Sequence, residues 1–452
     1  MRFKALLVAS IACTLFYSCS KKESTTTPVT IPEVSGKAIN SFTFQEVKSG
    51  RATVNIQEDS ILISVPGSAL LSSLTPVITY EGVSISPSVT QPIDFTNVVK
   101  FTVTASDSTK KDYYVKVTRR NTLFVGSKNL LVALDTKDGA QIWKYTGTAG
   151  FAYSAPALAG DTVFVGGAVD GNLYAFNART GEIFYTKNIS STGIEGSPLI
   201  NGSTLYIGTN DDYLLSINTI NGNVKWKYRT YGNVSSKPVL YQNAVLFGNY
   251  NGLLYRLDTL NGQYNWSLSL LGYIGSAEPV LHNSTIFFGT HDSIFYAVDA
   301  AVGKRLWTFK TGTGLPGGGV ANGNVYVSGY SLYALDEVTG EVKWEALKGK
   351  GCYGSLTVDN GIVYVKAADN LLYAVDANTG ATKWTTQSYV NAAAAVVKDG
   401  MVYVASGTGW VYGVRASDGQ SLWGYQMGII DNYNPTPAIG KVAEKYPITI
   451  SL

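Results

Sequence analysis

The sequence is poor in charged residues, and this shortage excludes several classes of protein. Only 15% of the 452 residues are charged, against about 25% in an average globular protein. The formal net charge is +3, and Arg2 and Lys4, in a segment that we expect to be removed, supply two of those charges. A mature charge near +1 gives no electrostatic attraction to nucleic acid or to an anionic membrane surface.

Cysteine and histidine are also scarce. The cysteines are Cys13, which lies in the segment expected to be removed, Cys19, and Cys352, which stands alone in the remainder. No pair is left to form a disulfide. The two histidines, His282 and His291, are too few for a metal cluster.

Long apolar runs are absent after the N-terminus, so no later segment is predicted to span a membrane as a helix. Met1–Lys4 is basic and Ala5–Tyr17 is almost wholly apolar, the pattern of a signal peptide. The residues that follow, Leu15 to Cys19, resemble the lipobox of bacterial lipoproteins. That resemblance implies a signal peptide over residues 1–18 and acylation of Cys19. The alternative is an ordinary cleaved signal followed by an incidental cysteine.

What the chain has in abundance is glycine and tyrosine, with 47 and 30 residues, which favours strands joined by tight turns.

Residues 19–33 are polar and predict a tether. Residues 34–119 alternate with period two, as in Val99 to Ala105, and predict about seven strands of an Ig-like β-sandwich. This segment resembles the N-terminal sandwich domains of lipoproteins from Bacteroidetes-type bacteria, and we expect it to be a spacer or a binding module.

From residue 121 onward one phrase recurs eight times: apolar residues, a turn, Leu-Tyr-Ala-x-Asp, and then Thr-Gly-x-x-x-Trp. Each copy has a glycine with an aromatic residue four positions later. The glycines, 37 to 42 residues apart, are Gly139, Gly181, Gly222, Gly262, Gly303, Gly340, Gly380 and Gly419. The aromatic residues are Trp143, Tyr185, Trp226, Trp266, Trp307, Trp344, Trp384 and Trp423.

A period of about 40 residues holds the four short strands of one propeller blade. The phrase resembles the tryptophan-docking motif of the PQQ-type (quinoprotein-like) propeller family, which implies rings docked between neighbouring blades. The first copy lacks an inner strand, and Pro435 to Ile439 supplies an unpaired one at the end. We therefore predict an all-β chain with an eight-bladed propeller over residues 121–440, closed by a C-terminal strand, and a tail over residues 441–452.

The same resemblance raises the possibility of a PQQ-dependent dehydrogenase, whose family holds calcium beside the quinone and usually has an adjacent Cys-Cys disulfide. The propeller has one cysteine and no long insertions to build a pocket. The acidic residues before the third strands are explained by turn chemistry; they are Asp170, Asp211, Asp212, Asp292 and Asp369. We predict no catalytic, metal or cofactor-binding residue and no cofactor.

The loops that lead from one blade to the next carry aromatic residues, which can anchor protein or sugar ligands. Ile194 and Leu315 stand at comparable positions in two other loops. The candidate binding residues are Phe151, Tyr153, Tyr231, Tyr273, Tyr353, Tyr389 and Tyr433. The alternative is that these rings only cover strand ends.

The whole pattern is similar to the propeller lipoproteins of the outer-membrane β-barrel assembly machinery, except for the added sandwich. The resemblance implies a non-catalytic, lipid-anchored scaffold of the outer membrane, facing the periplasm or the cell surface. We expect a monomer within a complex that binds an envelope protein or a glycan through its face loops. The alternatives are a barrel-assembly factor proper and a quinone-dependent enzyme.

Overall fold

A computed structural model of the chain describes residues 36–275, 278–312, 314–352, 354–386, 394–428 and 436–443. These residues form 39 strands and one short 3-10 helix, Leu71–Ser73. Over the same ranges, no helix has the length and apolar character needed to cross a membrane. The all-β prediction is confirmed.

Residues 39–119 form the predicted Ig-like sandwich from seven strands. Five of them make one sheet in the order β2-β3-β7-β6-β5, with β3 and β7 parallel, and β1 pairs with β4 in a second sheet. Phe42 packs edge-on against Phe95 and Phe101 in the core. The strands are β1 Ile39–Phe44, β2 Thr53–Gln57, β3 Ser60–Val65, β4 Pro76–Tyr80, β5 Ser84–Ser86, β6 Val99–Thr104 and β7 Lys110–Arg119.

Eight four-stranded antiparallel sheets follow, each a blade of the propeller. Blade 1 contains β8 Thr122–Ser127, β9 Leu130–Asp135 and β10 Gln141–Thr146. Blade 2 contains β11 Ala157–Ala159, β12 Thr162–Gly166, β13 Asn172–Asn177 and β14 Ile183–Asn188. Blade 3 contains β15 Leu199–Asn201, β16 Thr204–Gly208, β17 Tyr213–Asn218 and β18 Val224–Arg229. Blade 4 contains β19 Val239–Tyr241, β20 Ala244–Gly248, β21 Leu253–Asp258 and β22 Tyr264–Ser269.

The remaining blades repeat this order. Blade 5 contains β23 Val280–His282, β24 Thr285–Gly289, β25 Ile294–Asp299 and β26 Arg305–Lys310. Blade 6 contains β27 Gly318–Ala321, β28 Asn324–Ser328, β29 Leu332–Asp336 and β30 Val342–Ala346. Blade 7 contains β31 Thr357–Asp359, β32 Ile362–Lys366, β33 Leu372–Asp376 and β34 Thr382–Thr385. Blade 8 contains β35 Val396–Lys398, β36 Met401–Ala405, β37 Trp410–Arg415 and β38 Ser421–Gln426, and the last strand is β39 Ala438–Gly440.

The last strand closes the ring as predicted. β39 is the inner strand of blade 1, where Ala438 pairs with Phe124 and Gly440 with Thr122. Pairing the first and last strands of the propeller in one sheet covers the edge of β8 that would otherwise be open. The eight-bladed prediction is confirmed.

Neighbouring blades are joined by the repeated aromatic ring. Trp143 of blade 1 lies against Gly181 of blade 2, where a Cβ atom would stand 2.7 Å from the indole Cδ2. Its Nε1–H donates to the carbonyl of Ala178, 2.9 Å away. Trp423 of blade 8 makes the closing contact, donating to the carbonyl of Thr136 in blade 1. The aromatic residues named above therefore lie at the seams between blades.

The sandwich contacts the propeller through a buried cluster of charges. The Asp135 side chain is inaccessible to solvent and accepts bonds from Arg120 Nε and Nη2, at 2.9 and 2.8 Å, and from Arg51 Nη2, at 2.8 Å. Arg120 also donates to the backbone oxygens of Ser64 and Arg51. Burial opposes ionisation of Asp135, but the bonds from Arg120, the Lys137 N–H and Arg51 hold the pKa of that carboxyl below its usual range.

A comparison of Gly340→Ala with Gly361→Ala separates two costs of replacing a glycine: the strain of a positive φ, and the clash of a Cβ with the docked indole. Both glycines have φ of +74°, which costs an alanine about 1–2 kcal/mol. Only at Gly340 would the Cβ meet an indole, 2.7 Å from Trp307 Cδ2; at Gly361 nothing lies within 4 Å. We expect Gly340→Ala to lower the free energy of unfolding by about 1–3 kcal/mol more than Gly361→Ala, measured by urea titration. Equal losses would mean that the ring does not require the glycine.

Asp135→Asn should weaken the junction and change its pH dependence. A carboxyl with a lowered pKa stabilises the fold above its unfolded pKa of about 3.9, and this contribution is lost as the pH falls through the folded pKa. At pH 7 the variant removes the carboxylate shared by two partly buried arginines, of which Arg51 keeps Asp138 as a partner, and this costs up to about 3–5 kcal/mol. We expect the difference in unfolding free energy to shrink from pH 7 to pH 3. The control is Asp138→Asn, an exposed partner of Arg51, which should change little at either pH.

Candidate functional site

Two kinds of loop meet on one side of the propeller, which we call the loop face. One kind runs from the outer strand of a blade to the inner strand of the next, and the other joins the second and third strands. The N–H of Tyr250 donates to the carbonyl of Asn233 at 2.9 Å, and the N–H of His291 donates to that of Tyr273 at 3.2 Å. These bonds fix the two loops side by side.

The structure places four of the seven candidate aromatic residues. Tyr231 is 72% exposed, Tyr153 42% and Tyr273 37%, all on the loop face, whereas Phe151 is fully buried. Tyr153 lies between blades 1 and 2, apart from the other two. The remaining three candidates lie outside the described residues; they are Tyr353, Tyr389 and Tyr433.

Phe151 is a correction to the sequence prediction, because it is a core residue. Its ring packs edge-on against Tyr174, 5.3 Å between centroids, and its main chain covers Gly126, where a Cβ would stand 2.4 Å from the Phe151 carbonyl oxygen. Ile194, which is also fully buried, covers Gly166 with its side chain, where a Cβ would stand 2.3 Å from Ile194 Cγ2. The sequence signal for this packing was a glycine at the end of the second strand, as Gly166 is, or one residue before it, as Gly126 is.

The structure reveals a ring stack that sequence reasoning missed. Tyr250 stacks on Tyr273, with centroids 5.1 Å apart and planes at 16°, and Tyr273 stacks on His291 at 3.9 Å and 14°. Tyr250 and His291 are each the second residue after their second strand, where Tyr330 stands in the next blade. The three rings therefore join two consecutive blades across the loop face.

A glycine makes room for this stack. A Cβ at Gly275 would stand 3.0 Å from His291 Nε2 and 3.5 Å from Tyr273 Cε2. Burial lowers the pKa of His291 below its usual value, so the imidazole is uncharged at neutral pH. The stack is therefore a neutral aromatic surface.

Tyr231 lies beside this stack in the preceding loop. The Arg229 guanidinium lies over its ring, 5.0 Å from the centroid, and Asn251 Nδ2 donates to its carbonyl at 2.5 Å. Tyr231 has φ of +56°, an uncommon value for a residue with a side chain. The bond to Asn251 fixes the backbone of Tyr231 and Arg229 contacts its ring, which restricts the residue before binding and lowers the entropy cost of binding through it.

The acidic residues of the loop face serve the loops themselves. Asp170 accepts from the N–H of Asn172, Asp369 from that of Leu371, and Asp211 from that of Ser191 in the preceding loop. Among the described residues, no three His, Cys, Asp or Glu side chains are placed to hold a metal ion.

Two buried titratable groups lie in blade 7. Burial raises the pKa of the Cys352 thiol to about 12, so the group stays protonated and a poor nucleophile. Burial lowers the pKa of Lys366 to about 8.

Family models match both parts of the chain. The model for the outer membrane protein assembly factor BamB matches residues 102–309 and 291–432, and the model for the SGBP N-terminal domain matches residues 39–117. A BamB of Legionella pneumophila is 31% identical over 98 residues, which cover 22% of this chain and 25% of that protein. A BamB of Moranella endobia is 24% identical over 60% of this chain and 67% of that protein. The matched region thus spans a quarter of the length of the first relative and two thirds of the length of the second.

Solved structures share the fold. BamB from Moraxella catarrhalis superposes with a TM-score of 0.53 at 19% identity, over 63% of this chain and 90% of that one. The quinohemoprotein alcohol dehydrogenase ADHIIG from Pseudomonas putida gives 0.54 at 14% identity, over 73% and 74%. At such identities the likeness establishes the architecture alone.

The pKa of His291 tests the stack directly. Stacking on Tyr273 covers one face of the imidazole, and this partial burial keeps its pKa below about 6.5, so Tyr273→Ala should raise the pKa by uncovering that face. The chain has two histidines, and a proton NMR titration resolves them once His282→Gln assigns the other signal. Tyr231→Ala, which leaves the stack intact, is the control. A His291 pKa that is unchanged in Tyr273→Ala would contradict the stacked geometry.

Proposed function

We propose a function for this chain from one premise: it belongs to the family of the outer membrane protein assembly factor BamB. It is a non-catalytic, lipid-anchored scaffold of the cell envelope that binds a partner through the loop face of blades 3 to 6. The observation that carries this proposal is the exposed aromatic surface built from Tyr231, Tyr250, Tyr273 and His291.

The fold does not require rings at these positions. The position two residues after the end of the second strand holds Tyr250 in blade 4 and Tyr330 in blade 6. It holds Ala168 in blade 2 and Ala368 in blade 7. The same loop therefore folds with a methyl group in place of a phenol. Because Tyr330 is 57% exposed and Tyr250 39% exposed, their apolar area remains open to a partner.

The composition of these loops suits a protein partner. Tyrosines stand among Gly, Asn and Ser, as in the segment Tyr231 to Ser236. Antibody loops use the same mixture, because tyrosine supplies large contact area at low entropy cost and the small polar residues supply adaptable hydrogen bonds.

The stack itself favours a protein over a glycan. Tyr273, the central ring of the stack, is covered by Tyr250 and by His291, so its faces are not open to a ligand. A sugar ring needs an open aromatic face, whereas protein side chains also pack against edges. We therefore propose an envelope protein as the partner, with a glycan as the alternative.

A role in outer-membrane β-barrel assembly is the second candidate, and the family match favours it. The added sandwich distinguishes this chain from a propeller alone and leaves the identity of the partner open to experiment. Dye reduction with added quinone and calcium tests the remaining alternative, a quinone-dependent dehydrogenase.

The proposed anchor is the acylated Cys19, which lies outside the described residues. The polar tether of residues 19–33 would join it to the sandwich, at the outer membrane and on either its periplasmic or its surface side. Such a protein would act as a monomer within a complex.

A photo-crosslinking amino acid in place of Tyr231 tests the proposed face in living cells. We expect a distinct protein adduct at this position and none at Tyr264, which is 52% exposed on the outer strand of blade 4. Adding Tyr250→Ala and Tyr273→Ala should reduce the adduct about tenfold, because buried tyrosines at interfaces carry much of the binding free energy. Mass spectrometry identifies the adduct.

Equal adducts at Tyr231 and Tyr264 would overturn the choice of face. Capture of a barrel-assembly protein would support the second candidate function. An adduct that carries glycan and no protein would replace the protein partner by a glycan.

A further inference from the structure

The side of the propeller opposite the loop face, which we call the turn face, carries the turn between the third and fourth strands of each blade. In seven of the eight turns a side-chain oxygen of the first residue accepts from the N–H two residues later, as Asp258 Oδ1 does from Leu260 at 2.8 Å and Asp336 Oδ1 from Val338 at 3.0 Å. In blade 8 the first residue is Arg415. The second residue of the turn bonds to the preceding hairpin. These bonds use the backbone of the third residue, so the turn places no demand on its side chain.

Four consecutive blades nevertheless place an exposed aliphatic side chain at the tip of this turn. Leu260 is 86% exposed, Val338 81%, Val302 66% and Ile220 43%. Val302 stands one position later than the others because Ala301 occupies the third place. We name these four residues the aliphatic tips.

The other four blades provide an internal comparison within one repeat. Their third turn residues are polar or charged: Lys137, Arg179, Asn378 and Ser417. In blades 1, 2 and 7 the N–H of this residue makes the same bond to a side-chain oxygen, as Asn378 does to Asp376 Oδ1 at 3.0 Å. Folding therefore tolerates polar tips, so the exposed aliphatic residues at this position in blades 3 to 6 are free to serve a contact outside the chain.

We infer that the aliphatic tips insert into the interface of a lipid bilayer and seat the propeller on the membrane. The sandwich, through which the tether would reach the propeller, contacts the turn face of blade 1 by way of Arg51, Arg120 and Asp135. The turn face is therefore the side on which the membrane-proximal domain lies. Blades 3 to 6, on the far side of the ring from blade 1, are left uncovered by it.

The setting of the tips fits lipid better than a protein. A protein interface needs a contiguous apolar centre that excludes water. Here each tip stands on its own turn, beside hairpins that end in polar residues, such as Asn243 and Ser284. Separate aliphatic side chains at equivalent positions of a flat ring can enter a flat surface together, where burial of apolar area drives binding. The low net charge fits this mode, since attraction to anionic lipid is not involved.

This inference rests on the proposed membrane anchor, and fluorescence separates the two. The acylated protein is purified with single cysteines at the tips, Leu260→Cys and Val338→Cys, each carrying an environment-sensitive NBD label. The controls are Asn378→Cys and Ser417→Cys, at the same turn position in blades 7 and 8. The native Cys352 is buried and would not react. Vesicles of phosphatidylcholine are the probe.

With vesicles, we expect the labels at Leu260 and Val338 to shift to the blue and to gain about threefold in emission. Labels at Asn378 and Ser417 should stay as in water. Leu260→Asn with Val338→Asn should leave the thermal midpoint unchanged and abolish the response of a label at Val302.

Flotation with the vesicles tests the anchor by itself. If the protein floats while all four labels stay silent or respond alike, insertion of the aliphatic tips is refuted and the anchor is supported. A response of the Leu260 label on concentrating the protein without vesicles would assign the tips to a second copy and also refute insertion. A protein that does not float refutes both the anchor and the seating.

Discussion

The docked aromatic ring is the interaction on which the rest of the propeller depends. A four-stranded blade buries both faces of its middle strands only when its neighbours cover them, and the indole fills the seam at the outer edge. The ring also donates to a carbonyl in the turn of the next blade, as Trp384 does to Ala416 at 2.9 Å. One side chain thus joins the outer strand of one blade to the turn of the next.

Because the seam uses glycine, an aromatic ring and backbone carbonyls, it leaves other turn and loop side chains free to vary. The third turn residue is Lys137 in blade 1 and Leu260 in blade 4, although in both turns its N–H donates to an aspartate Oδ1. The loop residue is Ala168 in blade 2 and Tyr250 in blade 4. In a repeat protein such departures separate what the fold needs from what a partner or a membrane would need.

The blade number, the closing strand and the sandwich could be predicted from sequence, because periodic patterns and turn residues act locally. The loop face could be predicted only in part. Phe151 lies in a loop, where no alternating pattern indicates whether a side chain is buried or exposed. The small residue that it covers, Gly126, is 25 positions away in the sequence. The partners Tyr250, Tyr273 and His291 come from different loops and blades, so their stacking depends on long-range packing that no local pattern carries.

The junction at Asp135 places the sandwich on the turn face of the propeller and not on the loop face. In blades 6 and 7 the equivalent acids, Asp336 and Asp376, cap their turns and pair with a lysine in solvent. In blade 1 the same acid is buried by two arginines, one from the sandwich and one from the linking segment, and its neighbour Thr136 receives the closing bond from Trp423. A residue that the repeat already required thus also docks the sandwich. Because that contact can form only on the turn face, the stacked rings of the loop face stay uncovered by the N-terminal domain.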